Sequence, residues 1–277
     1  MIGGVRMYDY FRKTAQELGV GAKIPILKLG DSGEVFYEMA MEMISAITEN
    51  NNAGKKTVFI CPVGPVGQYP IFVRLVNRDN ISLKNVWFIN MDEYLTDEKQ
   101  WIDTEDKLSF RGFMNREVYS KIKGELVMPK EQRSFPDPNN LSYIPELIEK
   151  LGGVDICFGG IGINGHVAFN EPEDVSTEEY ATRRTRVLEI AKETRTINSV
   201  GDLCGAIDAM PKYCVTIGIK EILSAKKIRL YCFRDWHRAV VRQAAYGEVS
   251  AHFPVTLVQN HPDAKITVNS TAAQQPF

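Results

Sequence analysis

Apolar residues recur along this chain in short runs separated by longer amphipathic stretches, an alternation that predicts strands interleaved with helices. Ile26 to Leu29, Thr57 to Cys61, Val86 to Ile89, Val154 to Phe158, Val215 to Ile217, Ile228 to Cys232, Pro254 to Val258 and Ile266 to Val268 read as strands. Between them Phe36, Met39, Met43 and Ile47 follow the i, i+3/i+4 rhythm of a helix that Asp31 or Ser32 can cap and that ends in Glu49-Asn50-Asn51-Asn52. Phe72, Val73 and Val76, the stretch Tyr143 to Leu151, a turn around Glu221 to Ser224, and Trp236 to Ala245 supply further helices. Residues 97 to 145 are polar and proline-containing, a loop-rich excursion with helix near Phe110 to Val118. Residues 1 to 25 are weakly patterned, with one amphipathic helix expected around Tyr8 to Leu18. The fold class expected is α/β: a doubly wound, mostly parallel sheet with helices on both faces, a Rossmann-like three-layer sandwich. No linker divides residues 26–277, so one domain is expected after an N-terminal extension of residues 1–25.

Three of the strands run directly into residues that carry chemistry. The Val154 strand breaks into glycines at 159, 160, 162 and 165, with His166 and Glu171 close behind, just past a strand's carboxyl end where ligands bind in open α/β sheets. Gly160-x-Gly162-x-x-Gly165 matches a dinucleotide fingerprint, but that pattern needs a helix opening on the third glycine, and here Asn170 and Pro172 punctuate the chain. A strand-to-loop reading fits better. The Val86 strand ends in Asn90-Met91-Asp92-Glu93-Tyr94, and two adjacent carboxylates there must be solvated, paired or used chemically. Thr57 to Cys61 opens into Pro62-Val63-Gly64-Pro65-Val66-Gly67-Gln68, where a glycine turn before a helix exposes backbone N–H groups to an anion. A plain βα turn is the other reading, because no Lys, Ser or Thr lies between Pro62 and Gln68. Arg183, Arg184 and Arg186 form either a solvated face or an anion-contacting segment.

Composition narrows the partners. A formal charge of -2 gives no reason to expect nucleic acid or an anionic membrane, which leaves a small molecule. The five cysteines have no ligand spacing, no apolar run approaches eighteen residues, and the start MIGGVRMYDYFRK has no apolar leader-like stretch, so a reducing cytoplasm is expected. The four histidines form no H-x-x-x-H pair, and no metal is expected.

Asn90-Met91-Asp92-Glu93-Tyr94 and the run GGIGINGHVAFNEP at 159–172 closely resemble glucosamine-6-phosphate deaminases, also called isomerases, and the similarity extends from about Ile26 to the C-terminus. Thr194-Arg195, Asn198-Ser199, Pro211-Lys212-Tyr213 and Thr216-x-Gly218 are further landmarks. The resemblance implies that Asp92 moves a proton between C2 and C1 of an open-chain amino sugar phosphate, and that His166 opens the pyranose ring with Glu171 orienting it. These residue types suit that work, since His titrates near neutrality and a carboxylate can take a proton acidified by a neighbouring carbonyl or imine. It implies a sugar phosphate as ligand, no cofactor, a homo-oligomer, and substrate contacts from Gly64, Val66, Gly67, Glu93, Gly160, Gly162 and Gly165.

Three positions depart from the family pattern. The aspartate two residues before the histidine is Asn164, which can hold the ring through a hydrogen bond but lends it no charge. The family's G-G-T-P is Gly64-Pro65-Val66-Gly67, which loses a hydroxyl and the N–H of Pro65. The arginine after the Asn-Ser pair is Val200, and the lysine near the start of the last large helix aligns without gaps to Arg238, expected to grip the phosphate. An amino-sugar-phosphate deaminase or isomerase is therefore the leading reading. A non-catalytic sugar-phosphate sensor and a lactone hydrolase like the related 6-phosphogluconolactonases are the alternatives.

Overall fold

The apolar runs assemble in a computed structural model that describes residues 8–277. In chain order they give β1 (Ile26–Lys28), α1 (Ser32–Asn52), β2 (Thr57–Cys61), α2 (Gln68–Arg78), β3 (Val86–Asn90) and β4 (Asp92–Leu95). The excursion contributes α3 (Phe110–Phe113), short irregular turns and β5 (Arg133–Ser134), and is followed by α4 (Tyr143–Leu151) and β6 (Ile156–Gly159). The remainder forms α5 (Thr177–Tyr180), β7 (Arg186–Glu189), α6 (Lys192–Asp202), β8 (Tyr213–Thr216), α7 (Ile219–Leu223), β9 (Lys227–Cys232), α8 (His237–Tyr246), β10 (Ala264–Val268) and α9 (Ser270–Ala273). Asp31 caps α1 as the sequence suggests, its carboxylate accepting from Glu34 N.

Seven of these strands pair in parallel, in the order β1-β10-β9-β6-β2-β3-β5. Successive side chains alternate between faces: Val58 and Ile60 of β2 enter one core, Phe59 and Cys61 the other. Helices α1 and α2 cover the second face, and α4, α7 and α8 cover the first. This is the expected layered α/β fold. The strand order reverses beside β2, where β3 and β5 extend the sheet one way and β6, β9 and β10 the other. Loops leaving β2 and β6 therefore diverge, and a crevice opens between them.

A second sheet was not visible in the sequence. Strands β4, β8 and β7 pair antiparallel, with Asp92 opposite Thr216 and Thr216 opposite Arg186. The acidic pair thus lies on a strand rather than a loop, and the pleat turns its two side chains to opposite sides. Two other expectations fail. Pro254–Asn260 is a 3-10 helix, not a strand, because Pro254 suits the first position of a helical turn and a short apolar run has no period to distinguish the two. Instead of a helix over Tyr8 to Leu18, the chain makes one short 3-10 turn, Asp9–Arg12, and then further turns. Leu18 and Ile24 of this segment are buried in the main core, and the fully buried Arg242 of α8 donates to Lys13 O at 2.7 and 3.0 Å.

Candidate active site

Four loops at the carboxyl ends of the parallel strands, after β2, β3, β6 and β9, surround a crevice. Gly64, Asp92, Gly160, Gly162 and His166 line it, together with Phe110, Phe169, Phe233 and Trp236. The acid and the imidazole, 74 positions apart in a chain of 277 (166 less 92), face one hollow.

Asp92 is 7% exposed and accepts no hydrogen bond among the described residues. Burial, with the neighbouring Glu93 charge adding to it, holds its carboxyl well above the usual range. Glu93 points the other way and does not line the crevice. Its buried carboxylate accepts from Tyr94 N, Ser109 Oγ, Phe110 N, and the N and Nε of Arg111, at 2.8–3.3 Å. Expected as a substrate contact, Glu93 instead anchors the turn that presents Phe110. Burial raises its pKa, against the pull of these donors.

The imidazole is held by neutral groups tied to one carboxylate. His166 Nδ1 lies 2.7 Å from Asn164 Oδ1, while Asn164 Nδ2 donates to Glu171 Oε2 at 2.7 Å. A carboxylate can only accept, so the amide turns its NH₂ to Glu171 and its oxygen to the histidine, and Nδ1 carries the proton. Nε2 is left for a ligand. Thr194 Oγ1 donates to Glu171 Oε2 at 3.1 Å and lies 3.2 Å from His166 Nδ1, a second bridge. Burial would raise the Glu171 pKa, but the hydrogen bond and charge of His166, with Asn164 and Thr194, bring it below the usual value. The imidazole also rests against Gly162, where a Cβ would come within 1.9 Å of the ring. Gly165 has φ 83° and faces Phe253, so it shapes the loop from behind.

The glycine turn after β2 is constrained on its carbonyl side, where Gln68 Nε2 donates to Pro65 O and Tyr69 Oη to Pro62 O. Among the described residues the N–H groups of Val63, Gly64, Val66 and Gly67 donate to no protein acceptor. Gly64 lines the crevice, whereas Val66 packs against the core and Gly67 sits under the Phe36 ring at the start of α2. Arg238 is turned away from the crevice. Its Nε donates to Thr271 O at 3.1 Å and its Nη2 lies 3.6 Å from Asp235, because it shares the face of α8 that carries Arg242 toward the C-terminal segment. Arg183 and Arg186 are also engaged elsewhere, pairing with Glu173.

Arg234, Thr194 and His237 were not singled out from the sequence as site residues. The signal for Arg234 was present, since it lies two residues beyond the carboxyl end of β9. His237 is buried and neutral: Nδ1 accepts from Phe233 N and Arg234 N, Nε2 donates to Ile161 O at 3.1 Å, and burial pushes its pKa down to about 3. It staples the turn after β9 to the loop after β6.

The chain is 31% identical over 246 residues to the glucosamine-6-phosphate deaminase of Bacillus velezensis, spanning 86% of this chain and 95% of that protein. It belongs to the glucosamine-6-phosphate deaminase family. Glucosamine-6-phosphate deaminase 1 of Bacillus subtilis is 30% identical over 216 residues, covering 76% of this chain and 82% of its own length. A solved monomeric glucosamine-6-phosphate deaminase superposes with a TM-score of 0.78 at 27% identity, over 90% of this chain and 98% of that one. The 6-phosphogluconolactonase of Trypanosoma cruzi reaches a TM-score of 0.63 at 15% identity, over 90% of this chain and 95% of that one, which establishes a shared fold. No family model matches the chain.

Proposed function

We propose that the protein is an amino-sugar-phosphate deaminase that converts glucosamine 6-phosphate, or a closely related sugar phosphate, to the corresponding ketose phosphate and ammonia. The observation that carries this reading is the meeting of a buried Asp92, free of hydrogen bonds, with a tautomer-fixed His166 across one crevice. His166, through Nε2, exchanges the proton that opens the pyranose ring, with Asn164 and Glu171 keeping the imidazole in place. Asp92 takes the C2 proton of the open-chain sugar and returns it to C1, leaving an imine at C2 that water hydrolyses to ketone and ammonia. A buried carboxylate without hydrogen-bond partners is a stronger base than a solvated one, as this step requires. The amides of the Val63–Gly67 turn, with the N-terminus of α2 behind them, suit the phosphate. Gly160 and Gly162 let the sugar approach the backbone.

Ammonia release coupled to a dehydrogenase, run across hexosamine phosphates, tests the reading. Wild type turns over at least one of them and Asp92→Asn does not. Absence of both ammonia and aldose–ketose interconversion would remove the catalytic assignment. No helix among the described residues is long and apolar enough to cross a membrane. A cytoplasmic location and a homo-oligomer belong to this proposal, and light scattering on the purified chain decides between an oligomer and the monomeric state of the solved relative.

A further inference from the structure

Among the described residues one arginine lines the crevice, and it belongs to neither of the positions at which the family resemblance places a cation. Val200 on α6 is 62% exposed and carries none, and Arg238 faces the C-terminal segment. Arg234 does line the crevice, and among the described residues its guanidinium makes no hydrogen bond and no ion pair. It lies against the rings of Phe233 and Trp236, with the cation 5.7 and 6.0 Å from their centroids. Its Nη1 reaches α6, 3.6 Å from where a Cβ on Gly201 would stand, an ordinary van der Waals distance. Asp202 feels the Arg234 charge without pairing with it.

Within the turn the N–H groups of Phe233 and Arg234 are both consumed by His237, so of these two residues only the Arg234 side chain is left to meet an anion. Five donors in a planar fork suit a phosphate monoester, and aromatic backing restricts the fork without neutralising it.

We infer that Arg234 is the side chain that grips the phosphate of the substrate, opposite the free amides of the Val63–Gly67 turn. The grip on the anion comes from the turn after β9, and His237 is the positioning residue that fixes that turn. The inference deepens the deaminase reading and rests on it only for the identity of the sugar.

Inorganic phosphate is the probe that separates the two. In thermal-shift titrations of the full chain, phosphate stabilises wild type saturably, and Arg234→Gln weakens the apparent affinity at least about tenfold, as loss of a charge-assisted contact requires. Arg234→Lys regains part of it, and Arg238→Gln binds as wild type does. In steady state, Arg234→Gln lowers kcat/KM for glucosamine 6-phosphate at least about tenfold relative to unphosphorylated glucosamine, mainly through KM. Equal stabilisation of wild type and Arg234→Gln, no stabilisation of wild type, or loss of binding in Arg238→Gln instead would each overturn the assignment. Arg234-dependent phosphate binding without ammonia release would sink the deaminase reading and leave the grip standing.

Discussion

Replacing Asn164 with leucine removes the amide that joins His166 to Glu171 while keeping the branched heavy-atom outline. Two contacts of 2.7 Å disappear, one to a carboxylate and one to a ring nitrogen. Central values of about 1.5–3 and 0.5–1.5 kcal/mol give a stability loss of roughly 2–4 kcal/mol, at the lower end if Thr194 closes part of the gap. Glu171 has little to fall back on, because its Oε1 is buried without a partner and Oε2 would keep only the hydroxyl of Thr194 and a 3.6 Å contact with His166 Nδ1. For a chain of this size that loss is a fall in Tm of about 5–10 °C. The kinetic effect is larger. Without the amide oxygen only Thr194 and the Glu171 carboxylate, 3.6 Å from Nδ1, specify which ring nitrogen carries the proton, and in the serine-protease template a mis-set tautomer costs on the order of 10⁴ in rate. A fall in kcat of about 10² to 10⁴ is expected, with KM nearly unchanged because Asn164 does not line the crevice. Differential scanning fluorimetry and the coupled ammonia assay read the two effects. Thr194→Val in the Asn164→Leu background should lose more than the sum of the single changes, since each bridge covers for the other. A variant with kcat within threefold of wild type would refute the argument that the amide sets the tautomer.

Other outcomes follow from the same geometry. Gly162→Ala drives a methyl into the imidazole and should abolish turnover while lowering stability by about 1–3 kcal/mol, checked by activity and Tm together. Asp92→Asn should inactivate the protein yet raise its Tm. The Asp92 pKa is raised on folding, so the native state loses stability as pH climbs through that range, and the gain in Asp92→Asn must be larger at pH 8 than at pH 5. Glu171 has the opposite sign: its folded pKa is lowered, so its contribution is complete above the ordinary glutamate value and disappears as pH falls below it, and the Tm difference between wild type and Glu171→Gln should shrink in acid. Arg242→Met would leave four carbonyls, those of Lys13, Arg238, Ala273 and Gln274, without their donor. A loss of about 3–5 kcal/mol is expected, with residues 8–25 becoming the first site of limited proteolysis.

Much of this architecture was legible because the parallel sheet is buried on both faces and its strands read as nearly continuous apolar runs, as β2 and β6 do. The crevice was legible for a related reason: glycines, an acid and a histidine each followed such a run. What could not be read depended on contacts remote in the chain. β4 looked like a loop because its pairing partner is Tyr213–Thr216, more than a hundred residues away, and Glu93 looked like a site residue because its five donors come mostly from residues 109–111. Arg234 and Arg238 are four residues apart, but the first lies in the turn after β9 and the second on α8, and only the path of the chain between them decides which meets the ligand. Pro254–Asn260 carried no period at all.

The small antiparallel sheet has an implication for how the protein can diversify. Its strand β4 holds the Asp92 carboxylate, the loop after β6 holds the imidazole, and the guanidinium hangs from a separate turn after β9. Descendants of this chain can therefore trade one ligand for another by rewriting residues 233–236, while His237 keeps the turn tied to the loop that carries the imidazole.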